Sequence, residues 1–207
     1  MKKLIIIAAA LLVAVSPLGA QTKRELRNAK SDASAAARII RKEKFKMVEL
    51  GDIETRLEQF FVKVNTGCTQ IVGIADGCIS ANLAKMTALN NAAVEYASGA
   101  GGAVRGRITS NASTITGEQI DAIVAAYERL ILKEINGELV PYVTLLREKK
   151  KSGFDSRVYC LVDHEAVHRA KIRAMQLALE ETRMAEKYGS QVSDWIDEGF
   201  DKLNTEN

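Results

Sequence analysis

Residues 139–162, LVPYVTLLREKKKSGFDSRVYCLV, decide the fold. Leu139 to Arg147 carries apolar side chains on both faces, the pattern of a strand covered from two sides. Lys149-Lys150-Lys151-Ser152-Gly153 is a basic turn, and Phe154 to Val162 is a second strand-like run. Two such runs joined by a short Gly-containing connection predict an antiparallel hairpin. Pro141 has no N–H to give to a ladder, so it belongs near the strand start or on an edge. Asp163 follows at once and is a good N-cap for a long helix reaching about Lys187.

Working outward, Gln70 to Ala75 is a short β-branched run, a further strand, and Asp76-Gly77 reads as the turn after it. Ser80 can cap a helix from Ala81 to about Ala97 with Leu83, Met86, Leu89, Ala93 and Tyr96 along one side. Gly99, Gly101, Gly102 and Gly106 follow. Each costs a helix about 1 kcal/mol relative to Ala, so the helix is predicted to end, kink or fray there. Thr116-Gly117-Glu118-Gln119 has the form of a capping box. Its helix runs to about Leu132 and buries Ile120, Ile123, Val124, Tyr127, Leu130 and Ile131, and Asn136-Gly137 then turns the chain. From Gln70 onward the order is β-α-α-β-β-α. The expected class is α+β, a three-stranded antiparallel-type sheet covered by helices.

Two helices precede this unit. Residues 23–43 carry a small-residue stripe, Leu26, Ala29, Ala33, Ala36, Ala37 and Ile40, and read as a helical N-terminal arm. Asp52 caps a second helix with Ile53, Leu57, Phe60, Phe61 and Val64 on its apolar face, ending at Asn65-Thr66-Gly67. A last amphipathic helix carries Val192, Trp195, Ile196, Phe200 and Leu203. The expected divisions are therefore 1–20, 21–67, 68–188 and 189–207.

The first twenty residues stand apart. Lys2 and Lys3 precede an apolar run from Leu4 to Val15, then Ser16-Pro17 and the small residues of Leu18-Gly19-Ala20. That is the pattern of a secretory signal peptide, with cleavage expected near Ala20. The run is shorter than the roughly 20 apolar residues of a membrane span. Gln21 stands where a lipoprotein would need its acylated cysteine, so no lipid anchor is expected and the mature chain should be soluble in the periplasm or secreted. The signal holds two of the 29 basic residues and none of the 26 acidic ones, which lowers the formal +3 of the chain to near +1. That balance gives no drive toward nucleic acid or an anionic membrane. Cys68, Cys78 and Cys160 allow one disulfide in an oxidising compartment. A straight strand between Cys68 and Cys78 would hold them roughly 30 Å apart, far outside the about 7 Å that a bridge permits. Cys160 would then pair with Cys68 or Cys78, or all three are small buried hydrophobes.

The ordered set of elements resembles the small envelope lipoprotein family named for the twenty-kilodalton LPP antigen, related to the N-terminal domain of the flagellar protein FlgT. The similarity is closest to secreted members with a helical N-terminal arm. It rests on Ala36 to Met47, then Asp52 to Gln59, Ile71-Val72-Gly73, the helix Ala84-Lys85-Met86-Thr87-Ala88-Leu89-Asn90-Asn91-Ala92, the strand start Ile135 to Pro141, and the strand Arg157 to Val162. It spans roughly Ala29 to Met184. The Gly-rich break and the missing acylated cysteine depart from the family. The resemblance implies a non-catalytic envelope protein and supplies no site residues to transfer. The expected function is a structural or protein-binding role in the cell envelope, with another envelope protein or a second copy as partner and no cofactor.

One pentapeptide has a catalytic form. His164-Glu165-Ala166-Val167-His168 matches H-E-x-x-H, in which two imidazoles four residues apart hold Zn²⁺ and the glutamate acts as general base. A zinc-dependent metallohydrolase using His164, Glu165 and His168 is the alternative function. Against it, no third ligand is evident. Glu180, Glu181 and Glu186 fall on the same predicted helix, and Glu198 would need the last helix to double back. His168 also shares a stripe with Ile172, Met175 and Leu179, which predicts a place at the edge of the core rather than in a cleft. Arg105 and Arg107, beside the glycines, lie in a segment without a phosphate-binding motif. That segment, Gly99–Arg107, and the last helix are the surfaces expected to meet a partner.

Overall fold

The computed structural model describes residues 23–111, 115–149, 153–185 and 189. Nine elements follow in order: α1 (Lys23–Lys42), β1 (Lys46–Met47), α2 (Ile53–Thr66), β2 (Cys68–Cys78), α3 (Ala81–Asn111), α4 (Gly117–Glu138), β3 (Val140–Lys149), β4 (Gly153–Asp163) and α5 (His164–Glu181). The fold is α+β with one open antiparallel sheet, as the sequence suggests. The sheet has four strands rather than three, in the order β1-β3-β4-β2. The additional strand β1 is two residues long, Lys46 opposite Leu146 and Met47 opposite Leu145. A two-residue strand carries no periodicity of its own, and β3 alone makes it a strand.

The hairpin forms as predicted, from Val140 opposite Leu161 to Lys149 opposite Gly153, with an irregularity at Pro141 near the strand start. β2 lies along the other side of β4, from Cys68 opposite Asp163 to Ile74 opposite Arg157. Asp76-Gly77 does not turn the chain. It is a break in register between Ala75 and Cys78, after which the strand resumes opposite Phe154. An extra residue accommodated as a bulge has the same Gly signal as a turn, and Gly77 supplies the positive φ of 68°.

Helices cover both faces. On one, α3 rides directly over β2. A Cβ on Gly73 would stand 1.8 Å from the Ala88 carbonyl oxygen, so only glycine lets helix and strand meet this closely. Ile71, Ala75, Val158, Cys160 and Val162 form the core with Ala88 and Ala92 there. On the other face, Ala33, Ala37 and Ile40 of α1 and Leu57 of α2 pack with Val143 and Leu145 of β3. The segment read as an arm is thus one layer of the molecule. Its Ala29, Ala33 and Ala37 are fully buried, because small side chains let α1 lie close to α2. Beyond the end of the sheet, the second half of α3 forms a third core with α4 and α5 around Ile123, Tyr127, Ile131 and Met175.

Three predicted boundaries move. α3 does not stop at the glycines. Gly101 faces Glu128 of α4 so closely that a Cβ would meet that side chain, and Val104 and Ile108 bury beyond it. Packing outweighs propensity over these turns. α4 likewise runs through Asn136-Gly137, where Ile135 is fully buried. α5 ends at Glu181, six residues early, where Arg183 takes a positive φ of 58°. The capping predictions hold: Asp52 accepts from the Thr55 N–H, Ser80 from Leu83, Thr116 and Gln119 form the capping box, and Asp163 accepts from Glu165 and Ala166. The predicted last helix over 189–207 lies outside the described residues. Among the described residues no helix is long and apolar enough to cross a membrane.

Candidate functional site

The H-E-x-x-H segment opens α5. The Asp163 carboxylate caps it, and the His164 N–H extends the β2–β4 ladder by donating to the Gly67 carbonyl at 2.9 Å. His164 is half-buried, and His168 is exposed. Glu165 faces solvent and sits 3.7 Å from Arg169 one turn on. The predicted stripe is therefore rotated. Ala166, Val167, Ala170, Ala174, Met175, Ala178 and Leu179 turn inward, and His168 lies off that face rather than at the edge of the core. Ala166 and Val167 between the histidines compete for burial, and the apolar pair wins. Glu181 is engaged by Arg129, and Glu186 and Glu198 lie outside the described residues. Among the described residues no three His, Cys, Asp or Glu side chains gather where they could hold a metal ion.

The cysteines are all free. Cys160 faces α3 from the middle of β4, opposite Ile71. Cys68 projects to the other face, by the alternation of β2. Cys78 shares the α3 face but stands level with Phe154, roughly 20 Å along β4 from Cys160 at about 3.3 Å per residue. Neither partner left open for Cys160 is within reach. Burial pushes the Cys160 thiol up to about 11, which leaves it protonated and unreactive.

The densest polar constellation is one that the sequence reading missed. Asp155 of β4 is fully buried. Arg147, directly opposite on β3, donates to it through Nε at 3.0 Å and Nη2 at 2.6 Å. Lys149 Nζ stands at 2.6 Å, and the Gly77 N–H of the bulge completes the set at 3.0 Å. Burial raises the carboxyl's pKa, but the hydrogen bonds from Lys149, Gly77 and Arg147 outweigh it and hold the group at about 2. Arg147 and Arg157 lie against the Phe45 ring, 4.5 and 4.6 Å from its centroid. Arg157 also pairs with Glu43 at 2.6 Å, and Arg147 donates to the Glu43 carbonyl. The cluster clamps three segments, the α1–β1 connection, the hairpin and the β2 bulge. Its carboxylate has its acceptor positions filled by protein donors, which makes it a structural centre rather than a proton-transfer site. The signal for it was opposite charge across the hairpin, Arg147 and Lys149 on one strand and Asp155 on the other.

The surface expected to meet a partner is different in kind. Gly99–Arg107 is regular helix, with Arg105 paired to Asp121 at 2.6 Å and Arg107 buried. An open groove runs between Thr55, Gln59 and Val62 of α2 and Tyr142. More conspicuous is the outer side of α3 before α4 covers it. Ile79 is 88% exposed and Met86 71%, with Leu83 and Val94 also exposed. Leu83, Met86 and Val94, spaced 3 and 8 residues apart on α3, form one stripe, and Ile79 stands just before the helix begins. Lysines 150 and 151 of the basic turn, and Trp195 and Phe200, lie outside the described residues.

No family model, curated protein or solved structure matches this chain. The chemistry of its own residues therefore carries the reading that follows.

Proposed function

We propose that the chain is a secreted, non-catalytic, protein-binding component of the periplasm or cell envelope, soluble after loss of residues 1–20 and similar to the LPP-antigen family. The observation that carries it is the run of exposed apolar side chains made by Leu83, Met86 and Val94 of α3 with Ile79 just ahead of the helix. Apolar side chains grouped in this way mark a surface made to be covered by another protein. The address is supported by the basic, apolar and small-residue order of Met1 to Ala20, and the absence of a lipid anchor by Gln21. The fold order β2-α3-α4-β3-β4-α5 is in keeping with the family resemblance. The exposed position of His168 and the pairing of Glu165 with Arg169 support a structural role for the pentapeptide.

A photo-crosslinking residue at Met86 tests this in the native host, with one at Arg169 as control. The expected outcome is a discrete adduct with a second envelope protein at Met86 alone, weakened by Leu83→Lys, on a chain whose N-terminus is Gln21 by mass spectrometry. No adduct at Met86, or a cross-link only to residues 190–207 of the same chain, overturns the binding reading. Residues 1–20 retained on the protein overturn the address.

A further inference from the structure

The near-neutral charge of the mature chain conceals a segregation. The described basic side chains of α1, Arg27, Lys30, Arg38, Arg41 and Lys42, are all exposed. At about 100° per residue they fall within about 120° of one another, outside the arc that buries Ala29, Ala33, Ala37 and Ile40. The stripe is about 22 Å long at about 1.5 Å per residue, and Asp32 lies off it. Among the described residues, Arg27, Lys30, Arg38 and Lys42 form no ion pair, and Arg41 makes only long ones, 3.9 Å to Asp52 and 3.7 Å to Glu54. The balancing acids gather elsewhere. Residues 186–207 alone hold Glu186, Asp194, Asp197, Glu198, Asp201 and Glu206 against Lys187 and Lys202.

An apolar tip stands at the end of this stripe. Leu50 is fully exposed and Val48 nearly half exposed, with Lys44 and Lys46 exposed just before them in the chain. The loop that carries Leu50 is braced on both sides. The Val48 N–H donates to the Thr144 carbonyl at 2.9 Å, and both oxygens of Glu49 accept the Thr144 N–H at 3.0 Å. Gly51 takes a φ of 118°, and Asp52 at once caps α2 and pairs with Arg41 of the stripe. The loop is therefore fixed beside the C-terminal end of α1, and the side chain it presents to water is leucine.

We infer that the α1 stripe and the Leu50 loop together bind the surface of an anionic lipid bilayer, reversibly, with the cations against headgroup phosphates and Leu50 dipping below them. Two observations choose a lipid surface over an acidic protein. Four of the five cations are unfixed by partners and spread along one helix face, which suits a diffuse negative surface rather than the fixed bidentate geometry of a carboxylate site. The leucine held out beside them suits a partner that is charged at its surface and apolar just beneath. Each cation near such a surface is worth about fivefold in affinity, which leaves the chain soluble and its binding dependent on salt. The inference rests on the envelope address proposed above only for where such a bilayer is met, and the α3 stripe takes no part in it.

The test is co-sedimentation of the mature chain, residues 21–207, with vesicles of phosphatidylglycerol and phosphatidylcholine in equal parts and with vesicles of phosphatidylcholine alone. Retention is expected on the anionic vesicles only, and should weaken at least about tenfold between about 0.05 M and about 0.5 M salt. Arg27→Gln combined with Arg38→Gln should weaken it at least about tenfold, Leu50→Ser several-fold, and Lys133→Gln of α4 not at all. All these side chains are exposed, so the circular dichroism spectrum should stay unchanged. No retention on the anionic vesicles overturns the inference, including the case in which the acidic residues 186–207 of the same chain occupy the stripe. So does equal retention on neutral vesicles, or an equal loss from Lys133→Gln. Binding to soluble polyglutamate as tight as to the vesicles also overturns it and assigns the stripe to an acidic protein. A missing Met86 cross-link leaves the vesicle result standing, so the two readings fail separately.

Discussion

Asp155 shows how one residue can tie distant parts of a chain. Its carboxylate draws donors from β3 and from the bulge of β2, and those donors in turn hold Phe45 and Glu43. Its folded pKa of about 2 lies below the unfolded value of 3.8. The unfolded chain therefore binds this proton first. The stabilisation, about 2 kcal/mol, is complete above the unfolded value and disappears as pH falls from about 4 to about 2. Asp155→Asn should lower the urea-unfolding free energy at pH 7 by about 2–3 kcal/mol and should flatten its fall between pH 5 and 2. An unchanged acid limb would mean that other carboxylates carry the transition. The histidines make the opposite point. H-E-x-x-H is a strong pattern in one dimension, yet Ala166 and Val167 between them decide which way the helix turns.

At the scale of elements, what could be read from sequence was what is settled locally. Asp52, Ser80, Thr116 and Asp163 start their helices because each cap is a bond between neighbours. The hairpin is legible for the same reason. Ends settled by distant partners were not legible. α3 crosses four glycines because α4 and α5 offer it a core, and no window of sequence around Gly99 contains α4. β1 exists only through β3. The Asp155 cluster was missed because its members lie in three separate stretches. The glycines of α3 give a quantitative check. Gly102 and Gly106 have nothing within reach of an added Cβ, so Gly102→Ala and Gly106→Ala should each raise stability by about 0.5–1 kcal/mol. Gly73→Ala, which drives a methyl into the α3 backbone, should lower it by about 3 kcal/mol. Equal effects at all three sites would show that propensity, not contact, governs them.

Among the described residues, three cores are strung along one sheet and one long helix. α1 and α2 close the first core on one face, α3 closes the second on the other, and the outer half of α3 carries the third. Because α3 belongs to both the second and third cores, their order of assembly is constrained. α3 and α4 are neighbours in the chain, so the seam around Ile123 and Tyr127 forms over short loops. β2 is made early but must stay without its partner until α3, α4 and β3 have been laid down and β4 exists to receive it. That long loop closes after the seam has formed. Ile123→Val in the seam should therefore slow folding, whereas Ile71→Val in β2 should leave folding nearly unchanged and hasten unfolding, as the two arms of a chevron would record. The reverse allocation would mean that the sheet nucleates first. Until β4 arrives, β2 carries a neutral, β-branched stretch with both edges bare, and that interval is when the chain is most exposed to aggregation.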